Sequence, residues 1–502
     1  MIFPTQEKLT DKEIDNSLNY ITKDGYISQI MVNLTTGPVL ISFALRFGAN
    51  LFILGLLGAI PTLCNFFQIP TIFLIEKLRN RRRICVFFLI LYRFCILAVG
   101  FIPFLFTFEL SLTFLILFLT LQSIFASIGH TAWNFWMHDL IPQEVLGKFY
   151  SRRMLLSTIM GLITSLLAGI FIDFWKIYSP QTDDLSYSII YFLGFIFGMI
   201  SIYYISKVLE PTMIMLKIKP KLPQLISEPY RDKNYKNLLI FLFLWYFTIG
   251  FTVPFFTVYM LEKLHLSLTI VTILIILSQI VNLTFLQIWG YLSDKFSHKS
   301  VLNISCPLFL FCILAWVFTS LPGPYWFTLP LLVLIHIFMG ISLAGTTLSL
   351  SNISLKLAPK GKANWYLAVT TLITSLSLGF APIIGGLCAN YFELSEFYWS
   401  FNWNSPNNSG TIQILNLQGM DFFFIIAILL GIFAVHRLAF VKEKGEVESK
   451  IIRNELILEL RKSLRTLFRT GKSKEPLIAA ISFYPWQSKR QFKKEMGKNR
   501  IS

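Results

Sequence analysis

Three ionisable side chains interrupt long apolar runs: Arg93 in "VFFLILYRFCILAVGF", His130 in "SIFASIGHTAWNFWMHDL" and His336 in "LLVLIHIFMG". A guanidinium in such a run holds an anion or backbone carbonyls, and an imidazole exchanges protons near neutral pH. His130, Asn134 and His138 recur at i, i+4 and i+8, so a helix presents them on one face. Uncharged polar groups add to the set, namely Asn33, Thr36, Asn65, Thr252 and Asn282. The plain alternative for a threonine is a hydroxyl bonded to the carbonyl one turn back, and for an amide a helix–helix contact. This chemistry is non-covalent. The chain has no P-loop, no GxSxG, no HExxH and no pair of loop carboxylates, and His138-Asp139 lacks a companion nucleophile. An enzyme is therefore not expected.

No metal or cofactor is expected either. The six cysteines (Cys64, Cys85, Cys95, Cys306, Cys312, Cys388) lie in apolar runs without zinc-ligand spacing and read as small core hydrophobes. Carboxylates are scarce where they would matter. Asp139, Asp173, Glu262 and Asp421 sit near the ends of apolar runs, which leaves His336 as the candidate for proton coupling and Arg93 for an anionic solute.

The elements that position these groups are helices made for a bilayer. Of 502 residues, 55% are hydrophobic, 14% are charged and 49 are Phe. The apolar residues come in blocks of about twenty, the length that crosses a hydrocarbon core as a helix. Turn and charge signals resolve twelve spans, near 25–47, 51–74, 84–107, 111–137, 153–175, 186–208, 237–261, 266–289, 301–320, 326–353, 364–390 and 420–441. The expected architecture is an all-α integral membrane protein. Its parts are a polar segment 1–23 without a signal-peptide core, a six-helix half 24–208, a linker 209–236, a second half 237–441 and a basic tail 442–502.

Basic residues set the expected orientation. Of the 44 Lys and Arg, all but Arg46, Arg93, Lys176 and Lys263 fall in alternate loops or the terminal segments, which places both termini in the cytoplasm. The net charge of +17 then reflects topology and contact with an anionic inner leaflet rather than nucleic-acid binding. In the tail, Ile452, Leu456, Leu460, Leu464, Leu467 and Phe468 share one face, the pattern of a helix lying on that leaflet.

The halves repeat each other at one nearly constant offset. Thr36-Gly37-Pro38 returns as Thr252-Val253-Pro254, Asn65 as Asn282, and Glu76-Lys77-Leu78 as Asp294-Lys295-Phe296. Leu140-Ile141-Pro142 and Gly169 recur in the same way, at Leu357-Ala358-Pro359 and Gly386. Two parallel six-helix halves with a solute site between them near mid-membrane is a transporter plan.

The stretch "GYLSDKFSHK" (290–299) resembles the signature loop of the major facilitator superfamily, and "LIEKLRNRRR" (74–83) is a degraded copy in which Ile72 and Glu76 replace the usual Gly and Asp. The resemblance runs to about residue 441. It implies two pseudo-symmetric bundles that alternate access to a small solute, with spans 1, 4, 7 and 10 lining the path. Asn33, Thr36, His130, Asn134, Thr252 and His336 would then face the solute, with Asn65 and Asn282 beside it and Arg93 toward the periphery. It also implies cytoplasmic latches, Asp294, with Lys295 beside it, at the start of span 5 near Ser151 and Glu76 at the start of span 11 near Lys362; Arg81 is expected to pair with Asp139 at the inner end of span 4. "GFAPIIGG" (379–386) lies in span 11, not in span 5 where drug–proton antiporters of this family carry such a motif. A hydrophobic-compound exporter and a solute sensor that does not transport stand as alternatives.

Overall fold

The computed structural model describes residues 5–6, 9–142, 145–213, 222–320, 327–359, 362–405 and 408–469. In chain order the elements are β1 (Thr5–Gln6), α1 (Asp11–Thr35), α2 (Pro38–Arg46), α3 (Leu51–Leu63), α4 (Gln68–Leu78), α5 (Arg81–Leu105), α6 (Phe108–Leu140), α7 (Leu146–Tyr178) and α8 (Asp183–Ile205). There follow β2 (Glu210–Pro211), α9 (Leu222–Arg231), α10 (Lys233–Val258), α11 (Leu268–Lys295), α12 (His298–Val317), α13 (Thr328–Leu357) and α14 (Ala363–Phe392). The last are β3 (Glu396–Ser405), β4 (Asn408–Gln418), α15 (Met420–Leu438) and α16 (Ser449–Arg469). Twelve spans among the described residues are long and apolar enough to cross a membrane.

Local chemistry sets the breaks. Gly37 takes a left-handed φ of +62° between the end of α1 and Pro38, so the first span is two helices with a kink. The matching Val253 cannot adopt that conformation without strain, and α10 runs on through Pro254. Asn80 caps α5 by accepting from the Arg83 N–H at 2.8 Å. Ser297, its counterpart in the second half, caps α12 by accepting from the Ser300 N–H at 3.1 Å. The repeat read from the sequence thus extends to the helix caps.

Among the described residues the chain divides into two compact units, one within 9–43 and 64–213, the other within 44–63 and 222–465. Within the first, α5 packs on α6, α8 on both α1 and α5, and α7 on α1. Within the second, α12 packs on α13, α15 on both α10 and α12, and α14 on α10. These are the same four pairings, shifted by one repeat. Glycines permit close helix approach in both units. A Cβ on Gly198 in α8 would lie 2.7 Å from Arg93 Cγ, and one on Gly386 in α14 would lie 2.7 Å from the Leu51 carbonyl oxygen of α3. The "GFAPIIGG" stretch therefore serves helix contact inside the second unit.

Two features stand outside the expectation. Strands β3 and β4 pair antiparallel, Glu396 opposite Gln418, with a bulge at Trp399/Ser400. The helix of the first span begins at Asp11, behind a capping box in which Thr10 accepts from the Glu13 N–H at 3.4 Å and the Glu13 carboxylate accepts from the Thr10 N–H at 2.8 Å. Its polar first turns run unbroken into the apolar stretch, and that carries Asp24 inside. All six cysteines are free, five of them buried.

Candidate functional site: a buried charge cluster and two capped loops

The expectation that carboxylates keep to the ends of the spans is corrected by Asp24. Asp24 is buried within the first span, one turn before Ser28. The Ser201 hydroxyl of α8 donates to its Oδ1 at 2.6 Å, and Arg153 Nη2 of α7 stands 3.6 Å from Oδ2. Arg153 also donates through Nε to the Ile21 carbonyl at 3.3 Å and lies over the Trp133 ring at 4.9 Å. Arg93 of α5 is buried close enough to act electrostatically on Asp24, with its guanidinium 4.6 Å from the Tyr92 ring centroid. Its Nε and Nη1 make no hydrogen bond among the described residues. Four helices thus converge on one carboxylate and two guanidiniums.

The polar residues singled out from the sequence fall into two groups. Asn33 Nδ2 donates to the Gln29 carbonyl at 3.0 Å, Thr36 to Val32 at 2.8 Å and Thr252 to Thr248 at 2.7 Å, each within its own helix. The buried His336 has Nδ1 2.8 Å from the Leu332 carbonyl and its ring edge-on to Trp316. Asn65 accepts from Gln68 Nε2 at 3.2 Å. His130 and Asn134 differ: both are exposed one turn apart on α6, and His130 lies within electrostatic reach of Arg93 and Arg153. Asn282 is half-buried on α11. The first unit therefore brings Arg93, His130 and Asp24 into one electrostatic neighbourhood, while His336 belongs to the second.

At the start of α5 a carboxylate organises the expected basic loop. Glu210 Oε1 accepts from the Arg81 N–H at 2.8 Å and from Arg81 Nε at 3.1 Å, and Oε2 accepts from the Arg82 N–H at 3.1 Å. The buried Arg81 guanidinium also pairs with Asp139 and donates to Phe135 and Pro211 carbonyls at 3.1 and 2.8 Å. His138 Nδ1 lies 3.1 Å from Asp139. At the start of α12, Glu443 does the same work, accepting from the His298 N–H at 3.2 Å and the Lys299 N–H at 2.7 Å. Its cation is Lys356, 2.7 Å away. A carboxylate suits a helix N-terminus, where orphan N–H groups and the dipole favour negative charge.

The latch residues otherwise divide between the units. Asp294 and Glu76 are exposed, and the partners assigned to them, Ser151 and Lys362, belong to the opposite unit. Within its own unit Lys362 pairs with Glu228 of α9, which holds its ammonium above the ordinary range. Lys295 pairs with Glu455 at 2.6 Å.

A sequence model of the Major Facilitator Superfamily matches residues 25–382 and 238–486. The chain belongs to the Major Facilitator Superfamily. It is a multi-pass membrane protein of a transporter family. No curated protein sequence matches it. Solved structures share its fold at low identity. The nucleoside transporter NupG is 13% identical with a TM-score of 0.59, covering 86% of this chain and all of its own. A bacterial homologue of the iron transporter ferroportin is 13% identical at 0.58, covering 87% and 100%. A D-xylose-proton symporter is 13% identical at 0.56, covering 87% and 99%. The fold is that of major facilitator transporters, two six-helix repeats with matching internal packing.

Proposed function

We propose that the protein is a secondary carrier that moves a small polar solute across the cytoplasmic membrane by alternating access, with proton binding at Asp24 as the coupled event. The buried Asp24 carries this reading. An ionisable group inside a membrane span is costly and marks a solute or proton path. Asp24 has two charge partners, Arg153 at 3.6 Å and Arg93 nearby, so protonation releases both guanidiniums at once. His130 and Asn134, exposed on α6 beside this cluster, are the polar face offered to solute. The likeness to a D-xylose-proton symporter and to a nucleoside transporter supports neutral hydrogen-bonding solutes as the first to try. In this reading both termini and the loops at 74–83 and 290–299 lie on the cytoplasmic side, which the bias of basic residues supports.

Reconstituted vesicles with an imposed pH gradient test the reading. A panel of nucleosides, pentoses, hexoses and organic anions is scored by accumulation and by a trapped pH dye. Asp24→Asn is expected to abolish gradient-driven accumulation while leaving solute exchange at equal pH. Gradient-driven accumulation that survives in Asp24→Asn refutes proton coupling at this residue, and a uniformly inert panel with folded protein refutes polar-solute carriage.

A further inference from the structure

The segment that follows the last span is built into the 290–299 loop. Gly445 takes a left-handed φ of +87°, and a Cβ there would lie 2.6 Å from the Phe296 carbonyl oxygen, so the chain turns hard against the loop. Ser300 Oγ then accepts from the Val447 N–H at 3.0 Å and donates to the Val447 carbonyl at 3.3 Å. In the first turn of α16, Ile452 is fully buried in a core with Trp289, Leu292, Val301 and Ala344, and Val447 and Leu456 pack on the same cluster. Acids of the segment take both lysines of the loop, Glu446 with Lys299 at 2.7 Å and Glu455 with Lys295 at 2.6 Å.

We propose that residues 443–456 position the 290–299 loop for the transport cycle, with Glu446, Ile452 and Glu455 as positioning residues for the exposed Asp294. This rests on the carrier reading above. A helix lying on an anionic leaflet would put Ile452 and Leu456 into lipid and leave its acids beside like-charged headgroups. Here Ile452 is buried in protein, Leu456 packs against the same cluster, and the acids meet lysines. The loop's side chains are consequently shared out: Lys295 and Lys299 pair with acids of the tail, and Asp294 is left exposed.

The test needs no solute and so stands or falls separately from carriage. Hydrogen exchange is measured on the purified full chain in nanodiscs with and without anionic lipid, reading the peptides that cover 290–300. Glu446→Lys with Glu455→Lys is expected to speed exchange there at least fivefold in both lipids. Adding Lys295→Glu and Lys299→Glu is expected to restore it to within twofold, which a general loss of stability would not allow. Unchanged exchange in the double variant, or failure of the fourfold variant to recover, overturns the proposal. Protection of 449–459 that appears only with anionic lipid also overturns it, in favour of a leaflet-bound helix.

Discussion

Glu210→Gln isolates the charge that holds the first unit's loop. Glu210 and Arg81 are nearly inaccessible, with side chains 2% and 1% exposed, and their ion pair closes at 3.1 Å. Removing one partner of a buried pair costs about 3–5 kcal/mol, because the other charge stays desolvated. The lower end applies, since Asp139 still faces Arg81. The amide also turns a donor toward the Arg82 N–H and spoils the cap, so about 3 kcal/mol is the expected loss. At about 2–4 °C per kcal/mol for a unit of this size, the melting point in detergent falls by roughly 6–12 °C. Arg81→Met removes the stranded cation. In the double variant Arg81→Met/Glu210→Gln the loss should be no greater than in Glu210→Gln alone. Additive losses, or a Glu210→Gln protein that melts within about 2 °C of the parent, less than 1 kcal/mol on the same scale, would refute the argument that Arg81 is a buried charge compensated mainly by Glu210.

Two further outcomes follow from packing and capping. Gly386→Val forces a side chain against the Leu51 carbonyl oxygen and Phe52 Cα, both backbone atoms that cannot swing aside, and should cost about 1–3 kcal/mol in a detergent melt. Asn80→Ala removes the acceptor of the Arg83 N–H and should cost about 1 kcal/mol, seen as faster hydrogen exchange confined to the first turn of α5.

The spans, their number and the repeat were legible because each rests on a short-range regularity: apolar blocks of bilayer length and residues recurring near one offset. Arg81 with Asp139 was legible for the same reason, as a basic loop facing the end of an apolar span. Asp24 was not, because the span was drawn from where apolar residues begin, whereas the helix begins at its Thr10 cap, several turns earlier. Glu210 and Glu443 were not, because they stand farther apart in the chain than the offset that relates the spans. The β3–β4 pair lengthens the connection before α15 and moves Glu443 out of register. Thr36, Thr252 and Asn33 could be read either way from the sequence, and the helix backbone supplied their partners.

What the two units keep in common is a charge arrangement rather than a set of residues. Both place a glutamate on the N-terminal amides of the third helix of the repeat, α5 or α12. Position 81 supplies a guanidinium in the first unit, where its counterpart 298 is histidine; position 139 is an aspartate where its counterpart 356 is lysine. The glutamate therefore finds its cation on the same helix in one unit and on the next helix in the other, Arg81 at 3.1 Å or Lys356 at 2.7 Å. If the carboxylate's work is capping plus one nearby cation, the second unit's solution should function in the first. Arg81→His with Asp139→Lys is then expected to melt within about 1 kcal/mol of the parent, the scale of an exchanged hydrogen-bonded pair. Arg81→His alone, which leaves Asp139 and Glu210 without their shared guanidinium, should lose several times more. A double variant no better than that single change would show that the guanidinium's contacts with the Phe135 and Pro211 carbonyls, and not its charge, hold this end of the unit together.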